Sequence, residues 1–290
     1  MSDSTQIRLC AQLLQVLSGD HLLFLDPHAC HLGNECPSIR GSLRTVAREA
    51  GGQLQPFLKF TQSCPAVPTC DPDCYFPGTV FRLALRTAET AQHSSICTDV
   101  ITAEELANDT LKKFQDSAPD LLLFLRHVRK ISVYVKDSAD CEAKLVHECT
   151  ADIHKLPGQV SDSNLALSEA SIRIICQDHP HTTEHWARAT NLASIGGNDG
   201  VAILLNQHSA DKVAAEVESI SFPVVEGKVY ATMPLPCDVT GLPVHINGSF
   251  HVQSDRRNLW SGDGDKGKVG WRVVELYHTR LVCRTVAVVS

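Results

Sequence analysis

The chain has 290 residues, 43% of them hydrophobic and 20% charged, with a net charge of -7. That is enough apolar material for one large or two medium packed domains, and it excludes a mostly disordered chain. The acidic balance excludes broad, sequence-independent binding to nucleic acid, which needs a basic face.

No run approaches the roughly 20 apolar residues of a membrane helix. The opening residues, MSDSTQIRLCAQLLQVLSGD, interleave Gln with apolar residues and lack a basic n-region, so they are not a secretory signal. The expectation is a cytoplasmic protein, without membrane or nucleic-acid partners, whose 12 cysteines are mostly reduced.

In chain order, HLLFLDPHA (residues 21–29) reads as a short strand closed by an Asp-Pro turn. GQLQPFLKF is amphipathic but interrupted by Pro56. GTVFRLALRT, starting at Gly78, reads as a largely buried strand. In TAEELANDTLKKFQDSAPDLLLFLRHV, Thr102 and Glu105 form a capping box at the start of a helix. Pro119 is expected to end that helix, with DLLLFLRHV beginning a second one. KISVYVKD alternates as a strand does.

Residues 137–170 are polar and read as a linker. SIRIICQD, VAILLN, VYATMPLP and PVHINGSFHV then read as strands, with TEHWARATN between or beside the first two. Cys176 is expected inside a strand as a small buried hydrophobe. DKVAAEVESI, from Asp211, reads as a helix. The alternation gives a mixed α/β (α+β) architecture in two parts.

Some residue groups carry chemistry. His28, Cys30, His31 and Cys36 lie upstream of Cys64, Cys70 and Cys74, so a zinc site and plain loop thiols are alternatives. His181 and His185 are spaced to share a helix face, but no H-E-x-x-H is present. SGDGDKGKVG (residues 261–270) approaches a P-loop but has Val269 where Ser or Thr must hold magnesium. It reads as a charged surface loop between two helices.

The order SGDHLLFLDPHA, QLQPF, YFPGTVFRLALRT, EELANDTLKKFQDSAPDLLLFLRHVRKISVY and PLPCDVTGLPVHINGSFHVQSDRRNLW resembles the repeating unit of the sacsin family. That unit pairs a GHKL-type ATPase fold with a following middle segment. The resemblance starts near Val16, so residues 1–15 are set apart as a divergent segment. It implies the C-terminal part of a GHKL-type α/β sandwich over 16–136, the linker, and a sacsin-like middle segment over 171–290. In intact family members ATP and magnesium are the cofactors, and protein clients or chaperones are the partners. The resemblance places Gly78 and Thr79 beside the adenine and makes Arg256 or Arg257 the candidate for a γ-phosphate contact.

Ser254 is expected to cap the helix that carries this Arg pair. A solvent-facing ion-paired role is the alternative for both arginines. The adenine-contacting D-x-G-x-G turn does not occur in the sequence. The expectation is a chaperone-associated protein-binding module that binds no cofactor and hydrolyses no ATP by itself. A divergent active ATPase and a zinc-binding module are the alternatives. Strands 21–27 and 78–86 are expected to lack pairing partners and so to favour self-association.

Overall fold

The computed structural model describes residues 11–25, 38–64, 67–71, 73, 75–93, 98–100, 102–136, 141–155, 165–177, 180–191, 199–209, 225–254 and 257–260. Helices and two sheets make it an α+β protein, in agreement with the sequence. Its contacts divide into two units. One holds residues 1–113 and 134–144, the other 114–133 and 145–290.

The first unit is built on a four-stranded sheet with the order β3-β2-β1-β4. The strands are β1 (Ala11–Gly19), β2 (His21–Leu25), β3 (Ser38–Ser42) and β4 (Phe76–Leu85). All three pairings are antiparallel. β1 and β2 join through Gly19 and Asp20, and Gly19 takes φ +60°, a left-handed value that glycine adopts without strain. The "SGD" of the sequence is this hairpin turn.

β1 lies between β2 and β4, so residues 21–25 and 78–85 do find a partner. The Gln-interleaved segment that looked divergent supplies it. Period-2 alternation explains how: Gln15 and Leu17 point to the covered face, Leu14 and Val16 to the other. Gln15 is buried but bonded, accepting from Arg82 Nη1 at 2.6 Å and donating to Gln53 Oε1 at 3.3 Å.

Helices cover that face. α1 (Leu43–Ala50) is capped by Ser42, whose Oγ accepts from the Thr45 N–H. α2 (Gln55–Ser63) has Pro56 in its first turn, where the missing N–H costs nothing, so Pro56 starts a helix instead of breaking one. Leu43, Val46, Leu54 and Phe57 pack on Leu17, Leu22 and Phe24. A five-residue helix, α3 (Ala88–Gln92), follows β4.

The capping box forms as expected: Thr102 Oγ1 accepts from the Glu105 N–H at 3.1 Å, and Glu105 Oε2 accepts from the Thr102 N–H at 2.8 Å. A π-helical stretch, Leu106–Leu111, leads into α4 (Lys112–Phe124). Helix α4 runs straight through Pro119 and stops at Phe124, contrary to the expected break. Pro119 costs a helix about 3 kcal/mol. Burial of Leu121, Leu122, Leu123 and Phe124 outweighs that, at about 1.5–3 kcal/mol for each large apolar side chain.

The second unit holds an eight-stranded sheet, order β11-β10-β12-β9-β8-β7-β6-β5. These strands are β5 (Lys130–Val135), β6 (Lys144–Lys155), β7 (Leu165–Cys176), β8 (Thr182–Asn191), β9 (Gly200–Ser209), β10 (Lys228–Ala231), β11 (Met233–Val239) and β12 (His245–Asn247). β6 to β9 form an antiparallel meander, and β10 pairs parallel with β12.

The stretch 137–170, read as a linker, therefore contains β6 and the start of β7. Among its described residues Lys144, Asp152, His154, Lys155 and Glu169 occupy exposed strand positions. On one face Cys149, Ala151, Ile172, Trp186 and Leu204 pack with Leu122 and Phe124 of α4. The other face buries Ala189, Val201, Val229, Val244 and Ile246 with Leu259. The expected helix at DKVAAEVESI lies outside the described residues, as do SGDGDKGKVG and the helix expected after it.

Candidate functional site

The two faces of the four-stranded sheet differ. The face opposite the helices carries Leu14 and Val16 of β1, Leu23 and Leu25 of β2, and Phe81 and Leu83 of β4 in register. Phe81 is 67% and Leu83 45% exposed, and the other four are half-buried. β4 is also an end strand of its sheet, so one of its backbone edges carries no neighbouring strand among the described residues. Six apolar side chains thus share one face of the sheet, two of them well exposed.

Gly78 and Thr79 lie at the start of β4. Thr79 is on this same open face, exposed, with its hydroxyl 2.8 Å from Ser18 Oγ, the residue opposite it in register. A Cβ on Gly78 would meet the Phe76 ring at 3.3 Å, so glycine lets that ring fold over the backbone. Arg256 lies outside the described residues. Arg257 is half-buried in the second unit, in a turn closed by a Val252–Leu259 bridge and the Gln253 N–H to Asn258 carbonyl bond. Val252 and Leu259 thus pair as an isolated bridge, and none of the described residues 257–260 is helical, where a helix from Ser254 was expected. Val252 and Leu259 both join the apolar core there, which favours the bridge.

Of the proposed zinc ligands, Cys64 and Cys70 are described, and both are buried. Burial, with Asp71 beside it, pushes the Cys70 thiol up, away from the thiolate that a metal needs. His28, Cys30, His31, Cys36 and Cys74 lie outside the described residues. Among the described residues no group of three or more His, Cys, Asp or Glu side chains is placed to hold a metal. His185 is in strand β8, not a helix, with Nδ1 3.0 Å from Ser171 Oγ, and His181 immediately precedes that strand.

Sequence reasoning missed a polar cluster beneath α4. Asp120 Oδ2 receives Lys228 Nζ at 2.5 Å. His245, 1% exposed, accepts the Lys228 backbone N–H on Nδ1 at 3.0 Å. Its ring proton therefore sits on Nε2, 3.8 Å from Asp120 Oδ1. Trp186 and Tyr230 flank the imidazole at 5.0 and 5.6 Å between centroids. Trp186 Nε1 donates to Glu184 at 3.1 Å.

Burial pushes the Asp120 carboxyl up, but the Lys228 ammonium bonded to it and the nearby His245 ring outweigh that and hold it below the usual range. Burial dominates at Glu184, which lies above that range. With His245 sealed from solvent, the cluster fastens α4 to β10 and β12. It offers no group to a substrate. The signal was the Asp120 and His245 spacing, 125 residues apart in the sequence, which no local pattern links.

A cleft of about 500 Å³ lies at the far end of the same sheet, lined by Asp199, Thr232, Met233, Asn247, Ser249 and Phe250 among others. Thr232 takes φ +72° and donates its N–H to Asn247 Oδ1 at 2.8 Å. Asp199 Oδ1 accepts from the Ser249 N–H and hydroxyl. These polar groups satisfy one another, which fixes the loop but supplies no acid, base or nucleophile.

Among the described residues no helix is long and apolar enough to cross a membrane. Residues 11–148 match a family model described as the Sacsin domain. Among curated proteins the chain is similar to "Sacsin" from Homo sapiens, with 24% identity over 283 residues, covering 84% of this chain and 6% of that protein. The chain thus spans about 6% of the length of the relative it matches. The chain is thus sacsin-like, with its similarity to the Sacsin domain lying over residues 11–148.

Proposed function

We propose that this chain is a cytoplasmic, chaperone-associated module that binds protein partners through the open face of the four-stranded sheet, and that it hydrolyses no ATP by itself. The observation that carries this reading is the run of Phe81, Leu83, Leu14, Val16, Leu23 and Leu25 on the face opposite the helices. Apolar surface of this kind is stabilised when a second protein removes it from water, at about 25 cal/mol per Å². The resemblance to the GHKL fold supports it further. Thr79, the residue placed beside adenine in that fold, lies on this face, so a partner docking there covers the same ground. The partners are protein clients, chaperones or a second copy of the chain.

The test combines two measurements on the full chain. Calorimetric titration with ATP and magnesium is expected to show no heat of binding, and saturable micromolar binding would overturn the inactive part. Suppression of aggregation of a chemically unfolded client is expected in the unaltered protein. Phe81→Ser with Leu83→Ser is expected to weaken that suppression at least tenfold, about 1.4 kcal/mol, because both side chains are exposed and their replacement leaves the core intact. Unchanged suppression would remove this face as the binding surface.

A further inference from the structure

The α4-covered face of the second unit ends in a cluster that protein binding does not use. His147 on β6 lies directly opposite Cys176, the last residue of β7, and two residues before Cys149 on the same face. Its Nδ1 is 3.1 Å from Cys176 Sγ and its Nε2 is 3.0 Å from Cys149 Sγ. One imidazole therefore joins two thiols, neither of them in a disulfide. His147 is 4% and Cys149 0% exposed, whereas Cys176 is half-buried and reaches solvent. Cys176 lies inside a strand, as the sequence reading expected, but half-buried where that reading expected it buried.

The surroundings decide where the protons sit. Burial pulls His147 below its ordinary value, with Asp116 of α4 opposing, so the ring is neutral with one N–H and one lone pair. Burial, aided by Cys176, Glu184 and Glu148, pushes the Cys149 thiol up to about 12. Cys149 therefore keeps its proton, and in the tautomer that matters here it donates this S–H to Nε2. The ring proton then occupies Nδ1 and is donated to Cys176 Sγ. A hydrogen bond to sulfur favours the thiolate, the reactive form. A nucleophile touching an imidazole that a third group orients is the arrangement of activated cysteines generally.

We propose that Cys176 is a site of oxidation to sulfenic acid by small hydroperoxides, poised by His147 and oriented by Cys149. The Cys176 sulfur attacks one peroxide oxygen. An S–O bond forms and the O–O bond breaks; the sulfur gives up two electrons and the peroxide accepts them. The departing hydroxide takes up the proton released by Cys176 and leaves as water.

The experiment treats the full chain with hydrogen peroxide, traps sulfenic acid with a dimedone reagent, and reads each cysteine by peptide mass spectrometry. Cys176 is expected to be trapped faster than Cys141, although Cys141 is the more exposed of the two. Equal or faster trapping at Cys141 would overturn the proposal. His147→Leu is expected to slow trapping at Cys176 about tenfold. Cys149→Ala is expected to slow it as well, and Cys149→Ser, which still donates to Nε2, to restore it. A rate at Cys176 that ignores all three substitutions would also overturn it. Should His147→Leu fail to fold, the Cys176-against-Cys141 rates and the Cys149 pair decide the question alone.

Discussion

Replacing Asp120 with alanine is expected to lower the unfolding free energy by about 3 kcal/mol, read by urea denaturation at neutral pH. The carboxylate receives Lys228 at 2.5 Å and faces His245 at 3.8 Å, and its removal leaves both without their anion beneath α4. Lys228 is 39% exposed, so water partly replaces the lost partner, which keeps the effect at the lower end for a buried pair.

The pH dependence has a definite sign. The folded-state pKa of Asp120 is lowered, so its stabilisation is present above the ordinary carboxylate range and is lost as pH falls through the folded value. Glu184 behaves oppositely. Its folded-state pKa is raised, so its contribution is complete in acid and is lost as pH rises through the raised value. Asp120→Asn is thus expected to flatten the loss of stability as pH falls below the ordinary carboxylate range. An acid limb as steep as in the unaltered protein would show that Asp120 is not the titrating group.

Leu17→Ala is expected to destabilise the first unit by about 2–5 kcal/mol, measured by chemical denaturation. Leu17 is fully buried in the middle strand of its sheet, against Leu22, Phe24 and the helices above. The cavity would open where β1 joins β2 to β4, and the rigid sheet collapses poorly around it. Its neighbour Val16 faces the open side, so Val16→Ala is expected to cost under about 1.5 kcal/mol. Equal losses at the two positions would mean that β1 has no covered face.

These two sites mark the reach of sequence reasoning. The strand beginning at His21, the strand carrying Gly78 and Thr79, the Thr102–Glu105 cap and the second-sheet strands at KISVYV, SIRIIC and VAILLN were legible, because each is written in residues close together in the chain, whereas β6 lay hidden in the stretch read as a linker. β1 was not. Its glutamines hid the alternation, and only pairing with Arg82 and Gln53 explains why Gln15 is an inward residue. Pro119 misled for the same reason: its local rule says break, and burial of the leucines after it outweighs the rule. The hairpin-like turn at Arg257 depends on Val252 meeting Leu259, which the local cap signal at Ser254 does not register.

The amino-acid sequence by itself determined the α+β class, the acidic charge balance and the sacsin-like motif order, since composition, short-range periodicity and motif spacing carry that information. Tertiary structure alone decided which sheet face is left apolar and open, that Asp120 meets His245, and that His147 bridges Cys149 and Cys176. Each of those depends on strand register and on which face a helix covers. Long-range packing energy sets both, and no local stretch of residues specifies them.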